Sequence, residues 1–198
     1  MRRAVAAGAR SKQLFDSRAS ILLSGIWGAA EASVFFVVPD VWLGLVGLLA
    51  PRRAPAAFGA LLIGAAVGSS ILFGISRAAG PAVEAYQASL PGLSAAELAG
   101  ARGELGERGL GAMLGLPLQG YPLKVGVHEA AQLGFPFADV VLFSLLNRLV
   151  RVGPYVLVTA VAGVLVARWI HARPGLALAL YTATWSVFYT WYWLLRPV

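Results

Sequence analysis

Cysteine is missing from this chain, which excludes disulfides, thiolate metal sites and cysteine nucleophiles. The two histidines, His128 and His171, are too few and too far apart for a histidine-based metal centre, so neither a metal nor another cofactor is expected. Charge is scarce as well. Only 13% of the 198 residues are charged, about half the roughly 25% typical of soluble domains. Apolar residues make up 59%, and that imbalance implies an integral membrane protein. The net charge of +7 does not point to nucleic acid, because the basic residues stand at the ends of apolar segments and form no stripe. Membrane orientation accounts for them better.

Residues 1–20 carry Arg2, Arg3, Arg10, Lys12 and Arg18, a basic start that resembles the opening of a signal peptide. The apolar run that follows lacks a clear small-residue cleavage site and contains Glu31 and Asp40, so the segment is read as retained. Five apolar segments follow, at 21–50, 56–76, 110–135, 140–166 and 175–195. The hydrophilic interval 77–109 reads as an external connector, broken by Pro81, Pro91, Gly92, Gly100 and Gly103. It holds one short helix begun by the capping box Ser94-Ala95-Ala96-Glu97.

Segment 56–76 is uncharged and long enough to span, since about 20 helical residues cross the hydrocarbon. Ala60, Gly64 and Gly68 recur at every fourth position in it and permit close approach of another helix. Segment 175–195 opens near Pro174 and contains Trp185, Tyr189, Trp191, Tyr192 and Trp193, suited to a membrane–water interface.

Two of the apolar segments are interrupted by a proline and a charge, at Val38-Pro39-Asp40 and at Tyr121-Pro122-Leu123-Lys124. Matched interruptions in two halves point to a substrate or ion site at membrane depth. Charge sidedness favours re-entry over crossing. If 21–50 leaves on the side it came from, the basic N-terminus and Arg52-Arg53 share the cytoplasmic face. Segment 110–135 then re-enters from the opposite side, Arg168, His171 and Arg173 return to the cytoplasm, and the C-terminus lies outside. The expected fold is an all-α membrane protein: an inverted repeat of re-entrant hairpin plus transmembrane helix, with one further C-terminal transmembrane helix.

At membrane depth this arrangement leaves Glu31, Asp40, Lys124, His128, Glu129, Arg148 and Arg151. Each ionised group costs roughly 2.5–3.5 kcal/mol at a helix centre unless it is paired or wetted, so they should face one another or a cavity. Asp40 and Lys124 stand at comparable places on the two tips. They either pair as a lock between repeats or divide the work, the acid taking a proton and the ammonium an anionic headgroup. Glu31 is a second candidate proton carrier, or else a protonated acid bonded to backbone. Arg148 and Arg151 share a helix face beside Asn147 and suit a phosphate; snorkelling, or pairing with Glu31 and Glu129, is the alternative. His128, one turn after Lys124, is placed to relay a proton or simply to pack.

No nucleophile or metal constellation accompanies Glu31 and Asp40, so an enzyme is least favoured. The glycines around Gly111 and Gly115 lack the strand–loop–helix setting of a phosphate loop.

The order Glu31, Phe36-Val37-Val38-Pro39-Asp40, then Gly109, Pro117, Gly120-Tyr121-Pro122-Leu123-Lys124, Gly134 and Asn147-Arg148 resembles the DedA-like, or VTT-domain, membrane proteins over residues 20–165. The resemblance implies two facing re-entrant hairpins, with acids in the first and arginines in the second. It further implies lipid scrambling or flipping of phosphorylated polyprenyl carriers, with proton coupling in bacteria. Glu31 and Asp40 match the acidic positions, and Lys124 stands where arginine is usual. The arginine before the second proline is replaced by Gln119 or Gly120, and the glycine after it by Leu123.

The leading expectation is therefore a lipid flippase or scramblase of the bacterial cytoplasmic membrane, with its N-terminus cytoplasmic. Lys124, Arg148 and Arg151 would hold an anionic headgroup, while Glu31, Asp40 and His128 serve proton coupling or gating. A membrane lipid is the expected partner, with protons as coupling ion, no nucleic acid, and a homo-oligomer left open. Two alternatives remain, a proton- or ion-coupled transporter of a small solute and a non-transporting scaffold.

Overall fold

In the computed structural model, residues 15, 17–90 and 93–195 are described. Arg2, Arg3, Arg10, Lys12, Pro91 and Gly92 lie outside them, as does the side chain of His171. All regular structure among the described residues is helical.

Helix α1 (Arg18–Ser33) starts at Ser17, whose hydroxyl accepts from the Ala19 N–H. It stops at Ser33, after which Val34–Val38 run without helical structure, and Pro39, itself in helical conformation, is the N-cap of the next helix. Helix α2 (Asp40–Leu49) begins directly after Pro39, with the Asp40 carboxylate in the first turn, where the helix dipole favours an anion. After the turn Pro51–Arg53, helix α3 (Ala54–Ala88) runs for 35 residues. It is kinked at Ala79, where φ is −141°. The cause is Pro81, whose ring displaces the carbonyl four residues back and supplies no N–H.

The connector helix α4 (Ala95–Arg108) has the expected capping box, with the Ser94 N–H donating to the Glu97 carboxylate at 2.9 Å and the Glu97 N–H to the Ser94 hydroxyl at 3.3 Å. Short turns from Gly109 to Gln119 lead to Gly120, whose φ of +92° needs glycine, and then to Pro122. Helix α5 (Leu123–Gln132) follows, then α6 (Phe137–Leu165), α7 (Ala167–Ala172), α8 (Pro174–Thr190) and a π-helical turn Trp191–Leu195. Each long helix, α3 and α6, is thus preceded by a broken segment.

Helices α3 and α6 are long and apolar enough to cross a membrane. They correspond to the expected spans 56–76 and 140–166. Helix α8, within the expected span 175–195, has 17 α-helical residues and buries none of them. One difference from the sequence reading concerns the connector. Its first 12 residues continue α3 from Arg77 to Ala88, because Val83 and Gln87 are buried there and hold the helix against its neighbours.

The small-residue stripe of α3 receives α1. A methyl group on Gly64 would meet the Gly25 carbonyl, one on Gly68 the Ala29 carbonyl, and one on Gly28 the Leu61 carbonyl. Helix α2 packs in the same manner on α6, where Gly163 lies against the Gly47 and Leu48 carbonyls. One apolar cluster gathers Trp42, Leu43, Val46, Leu61 and Val152; another gathers Leu98, Leu105, Met113, Val125 and Val140.

The polarity is turned inside out. Ile63, Val67 and Ile71 of α3 and Leu149, Leu157 and Val161 of α6 are exposed, while Glu31, Asp40, Lys124, His128, Glu129 and Arg148 are buried. Water-soluble domains show the opposite distribution.

Candidate functional site

The two breaks meet. The Lys124 ammonium, in the first turn of α5, donates to the Phe35 carbonyl in the first break at 2.5 Å. A cation at the start of α5 is disfavoured by that helix's own dipole, but it is well placed at the carbonyl-rich end of α1. The Gln87 amide fixes this turn by donating to the Lys124 carbonyl at 3.2 Å.

From α6, Arg148 pairs with Glu31 of α1, and Arg151, one turn later, pairs with Asp40 of α2 at 3.3 Å. One helix face therefore holds both legs of the first broken segment. The Arg148 and Glu31 side chains are 1% and 4% exposed, those of Arg151 and Asp40 30% and 8%.

The Asp40–Lys124 pair considered from sequence is not formed. Asp40 faces α6, whereas Lys124 reaches the opposite end of the break. Among the described residues no carboxylate forms an ion pair with Lys124. Three cations and two carboxylates gather here, which leaves one positive charge in excess. Lys124 is 1% exposed, and its ammonium has three donors for the one acceptor described. The Arg148 Nε is buried without an acceptor among the described residues.

Side chains from four elements satisfy the backbone of the first break. Tyr86 donates to the Val34 carbonyl at 2.7 Å, Trp27 to Val37 at 3.0 Å, and Lys124 to Phe35. The Val38 N–H donates to the Tyr189 hydroxyl at 2.9 Å, and just past the break the Tyr181 hydroxyl donates to the Val41 carbonyl in the first turn of α2 at 2.7 Å. These bonds supply partners that the non-helical backbone of the break cannot find within a helix. Sequence reasoning missed Tyr86, Tyr181 and Tyr189 in this role. The break announced the need for donors, but not which distant residues would supply them.

His128 and Glu129 belong to a second polar cluster. The His128 Nδ1 lies 3.0 Å from the Ser76 hydroxyl, so the ring faces α3 and not the acids of the first break. Glu129 accepts from Arg102 of α4 at 2.5 Å, and Arg102 also reaches Glu84 at 3.4 Å. These carboxylates, Glu129 foremost through its hydrogen bond, raise the Arg102 pKa above its ordinary value. Glu129 thus pairs with neither Arg148 nor Arg151. The His128 Nε2 and one Glu129 oxygen, 4.0 Å apart, are buried without hydrogen-bond partners among the described residues. Asn147 stands apart too, donating to the Met113 carbonyl at 2.6 Å.

Comparison with known proteins gives no match to any family model, curated protein or solved structure.

Proposed function

We propose that the chain is a multi-pass membrane protein that translocates an anionic lipid, a phospholipid or a polyprenyl phosphate, between leaflets. One observation carries the reading: among the described residues the buried Lys124 ammonium at the meeting of the breaks has no carboxylate partner, while both neighbouring acids are occupied by arginines. An uncompensated buried charge costs on the order of several kcal/mol, and a visiting anion relieves that cost. Lys124 and the neighbouring Arg148 and Arg151 suit phosphate oxygens.

Membrane embedding is supported by the exposed apolar faces of α3 and α6 around a charged interior. The two broken segments, each followed by a long apolar helix, support an inverted pair of re-entrant hairpins. The charge asymmetry of the sequence supports a cytoplasmic N-terminus, and the DedA-like resemblance is what suggests a bacterial cytoplasmic membrane. In this cycle Glu31 and Asp40 exchange arginine for proton as headgroup and arginine engage.

Headgroup movement in proteoliposomes, measured with reporter-labelled anionic phospholipid and polyprenyl phosphate, tests the proposal. Lys124→Met and Asp40→Asn should lose movement; activity equal to the parent in both would overturn the mechanism. The scaffold reading draws on the pairing of Glu31 with Arg148 and of Asp40 with Arg151. It calls for no headgroup movement in the parent protein.

A further inference from the structure

Consecutive residues on a helix point about 100° apart and do not normally meet. His128 and Glu129 of α5 nevertheless turn their polar ends together. His128 enters from the α3 side, with its Nδ1 3.0 Å from the Ser76 hydroxyl, and Glu129 from the α4 side, with one oxygen on Arg102 at 2.5 Å. That leaves the ring Nε2 and the other carboxylate oxygen 4.0 Å apart, in two fully buried side chains, and neither atom has a hydrogen-bond partner among the described residues. The span is too long for a direct hydrogen bond and suits one bridging water.

Charge shows what else the gap suits. The carboxylates of Glu84 and Glu129 stand against one guanidinium, that of Arg102, so with a neutral ring the group carries one negative charge in excess. Uptake of one proton by the ring removes that excess. A protonated ring has two N–H donors and needs two acceptors. Both are at hand: the Ser76 hydroxyl, which can turn to accept at Nδ1, and the Glu129 carboxylate at Nε2, reached through the water.

The other charges on the elements packed around α5 are engaged elsewhere. Arg148 and Arg151 of α6 hold Glu31 and Asp40, and Lys124 of α5 itself reaches Phe35. Arg77 of α3 is exposed and donates to the Ala131 carbonyl at 3.1 Å. On α4, Glu97 caps the helix, Glu104 pairs with Arg108, and Glu107 is exposed, as is Asp139 of α6. The turns from Gly109 to Gln119 hold no ionisable residue. The way in from water is short: the Arg102 and Glu84 side chains are 43% and 45% exposed, and Arg102 touches Glu129 directly.

We infer that His128, Glu129 and Ser76 form a proton-binding site, separate from Glu31 and Asp40 and entered from the α4 side, in which one proton is shared across a bridging water. The step is an uptake alone: the proton comes from water, adds to the free lone pair of the ring, and no bond within the protein breaks. Coupling of that proton to lipid movement rests on the translocase reading. The site itself does not.

The test uses the full chain in lipid nanodiscs, with nitrogen-15-labelled histidine and His171→Asn, which leaves His128 as the one ring in the chain. Imidazole nitrogen signals are followed between about pH 4 and pH 9, a window around the ordinary histidine value. The His128 ring should pass from neutral to doubly protonated within it. Glu129→Gln removes the anion that favours the ring proton, and Arg102→Met removes the cation that opposes it. The midpoint should fall in the first and rise in the second, each by about tenfold in proton affinity, or one pH unit. Opposite shifts cannot come from unfolding, which would carry both variants to one common value. A ring that stays neutral throughout, or a midpoint that the two variants leave in place or move in the same direction, would overturn the site. So would a midpoint that follows sodium concentration at constant ionic strength, the mark of a metal cation in the gap. Titration is read without movement. A titrating ring without headgroup movement would keep this site and remove the translocase, whereas movement with a silent ring would remove this site alone.

Discussion

The Lys124 ammonium donates to the Phe35 carbonyl at 2.5 Å, so a side chain at the start of one broken helix closes the end of the other. This contact lets two roles of Lys124 be separated. As a lock it would act through the hydrogen bond; as an anion site it acts through its charge.

Lys124→Met distinguishes these roles. Losing the bond to Phe35 costs about 1–3 kcal/mol, and removing an unpaired buried ammonium returns a comparable amount. The melting temperature in detergent should therefore move little while headgroup transport is lost. Lys124→Arg should restore part of the transport. A large drop in melting temperature with transport retained would make Lys124 a lock.

The Arg148–Glu31 pair is buried on both sides, and the Arg151–Asp40 pair only on one. Breaking a buried pair by removing one member costs about 3–5 kcal/mol, because the other charge is stranded. Glu31→Gln should be destabilising on that scale, and the double variant Glu31→Gln/Arg148→Met should recover most of the loss. Arg151→Met should cost less, since a part-exposed pair is screened. Unfolding titrations in mixed micelles of the parent, Glu31→Gln, Arg148→Met and their double variant give the coupling energy, and additive losses would contradict the pairing.

Glycine substitutions should differ in sign along one helix. A methyl group on Gly64 meets backbone of α1, while one on Gly59 or Gly74 meets nothing within 4 Å. Gly64→Ala should destabilise by about 1–3 kcal/mol, the range for overpacking, and Gly59→Ala should be neutral or gain up to about 1 kcal/mol from helix propensity. Melting temperatures of the two variants suffice to check this.

Local features were the most legible. Pro39 and Pro122 marked the breaks and stand as the N-caps of α2 and α5, the capping box at Ser94 marked α4, and the stripe Ala60, Gly64, Gly68 marked a close helix contact. The charges at depth were also legible as a set, because none can stay unpaired in apolar surroundings without cost. Their pairing was not. Asp40 and Lys124 occupy matching positions in sequence, yet Arg151 takes Asp40 and Arg102, assigned to the connector, takes Glu129. Partner choice depends on how α4 and α6 are rotated against the broken segments, which no spacing within one segment encodes. The extension of α3 past Ser76 was hidden for a similar reason. Gly80 and Pro81 argue locally for a stop, and the burial of Val83 and Gln87 against other elements overrides them.

Single cysteines in this cysteine-free chain decide how the broken segments lie in the bilayer. Arg52 follows the first broken segment, and Asp139 follows the second; both are exposed. If each segment re-enters, Arg52→Cys stays on the side of the basic N-terminus and Asp139→Cys on the opposite side, since only α3 crosses between them. A membrane-impermeant maleimide applied to intact cells should then label Asp139→Cys and leave Arg52→Cys unlabelled until the membrane is opened. If the first segment crosses, Arg52→Cys is labelled from outside. Arg52-Arg53 would then lie on the face that basic residues avoid, and Asp40 would sit within a spanning segment, not at a hairpin tip. The contact from Lys124 to Phe35 would survive either way, but the inverted relation between the two halves would be lost. Labelling of Arg52→Cys in intact cells is thus the result that removes the hairpin architecture while leaving the charged site in place.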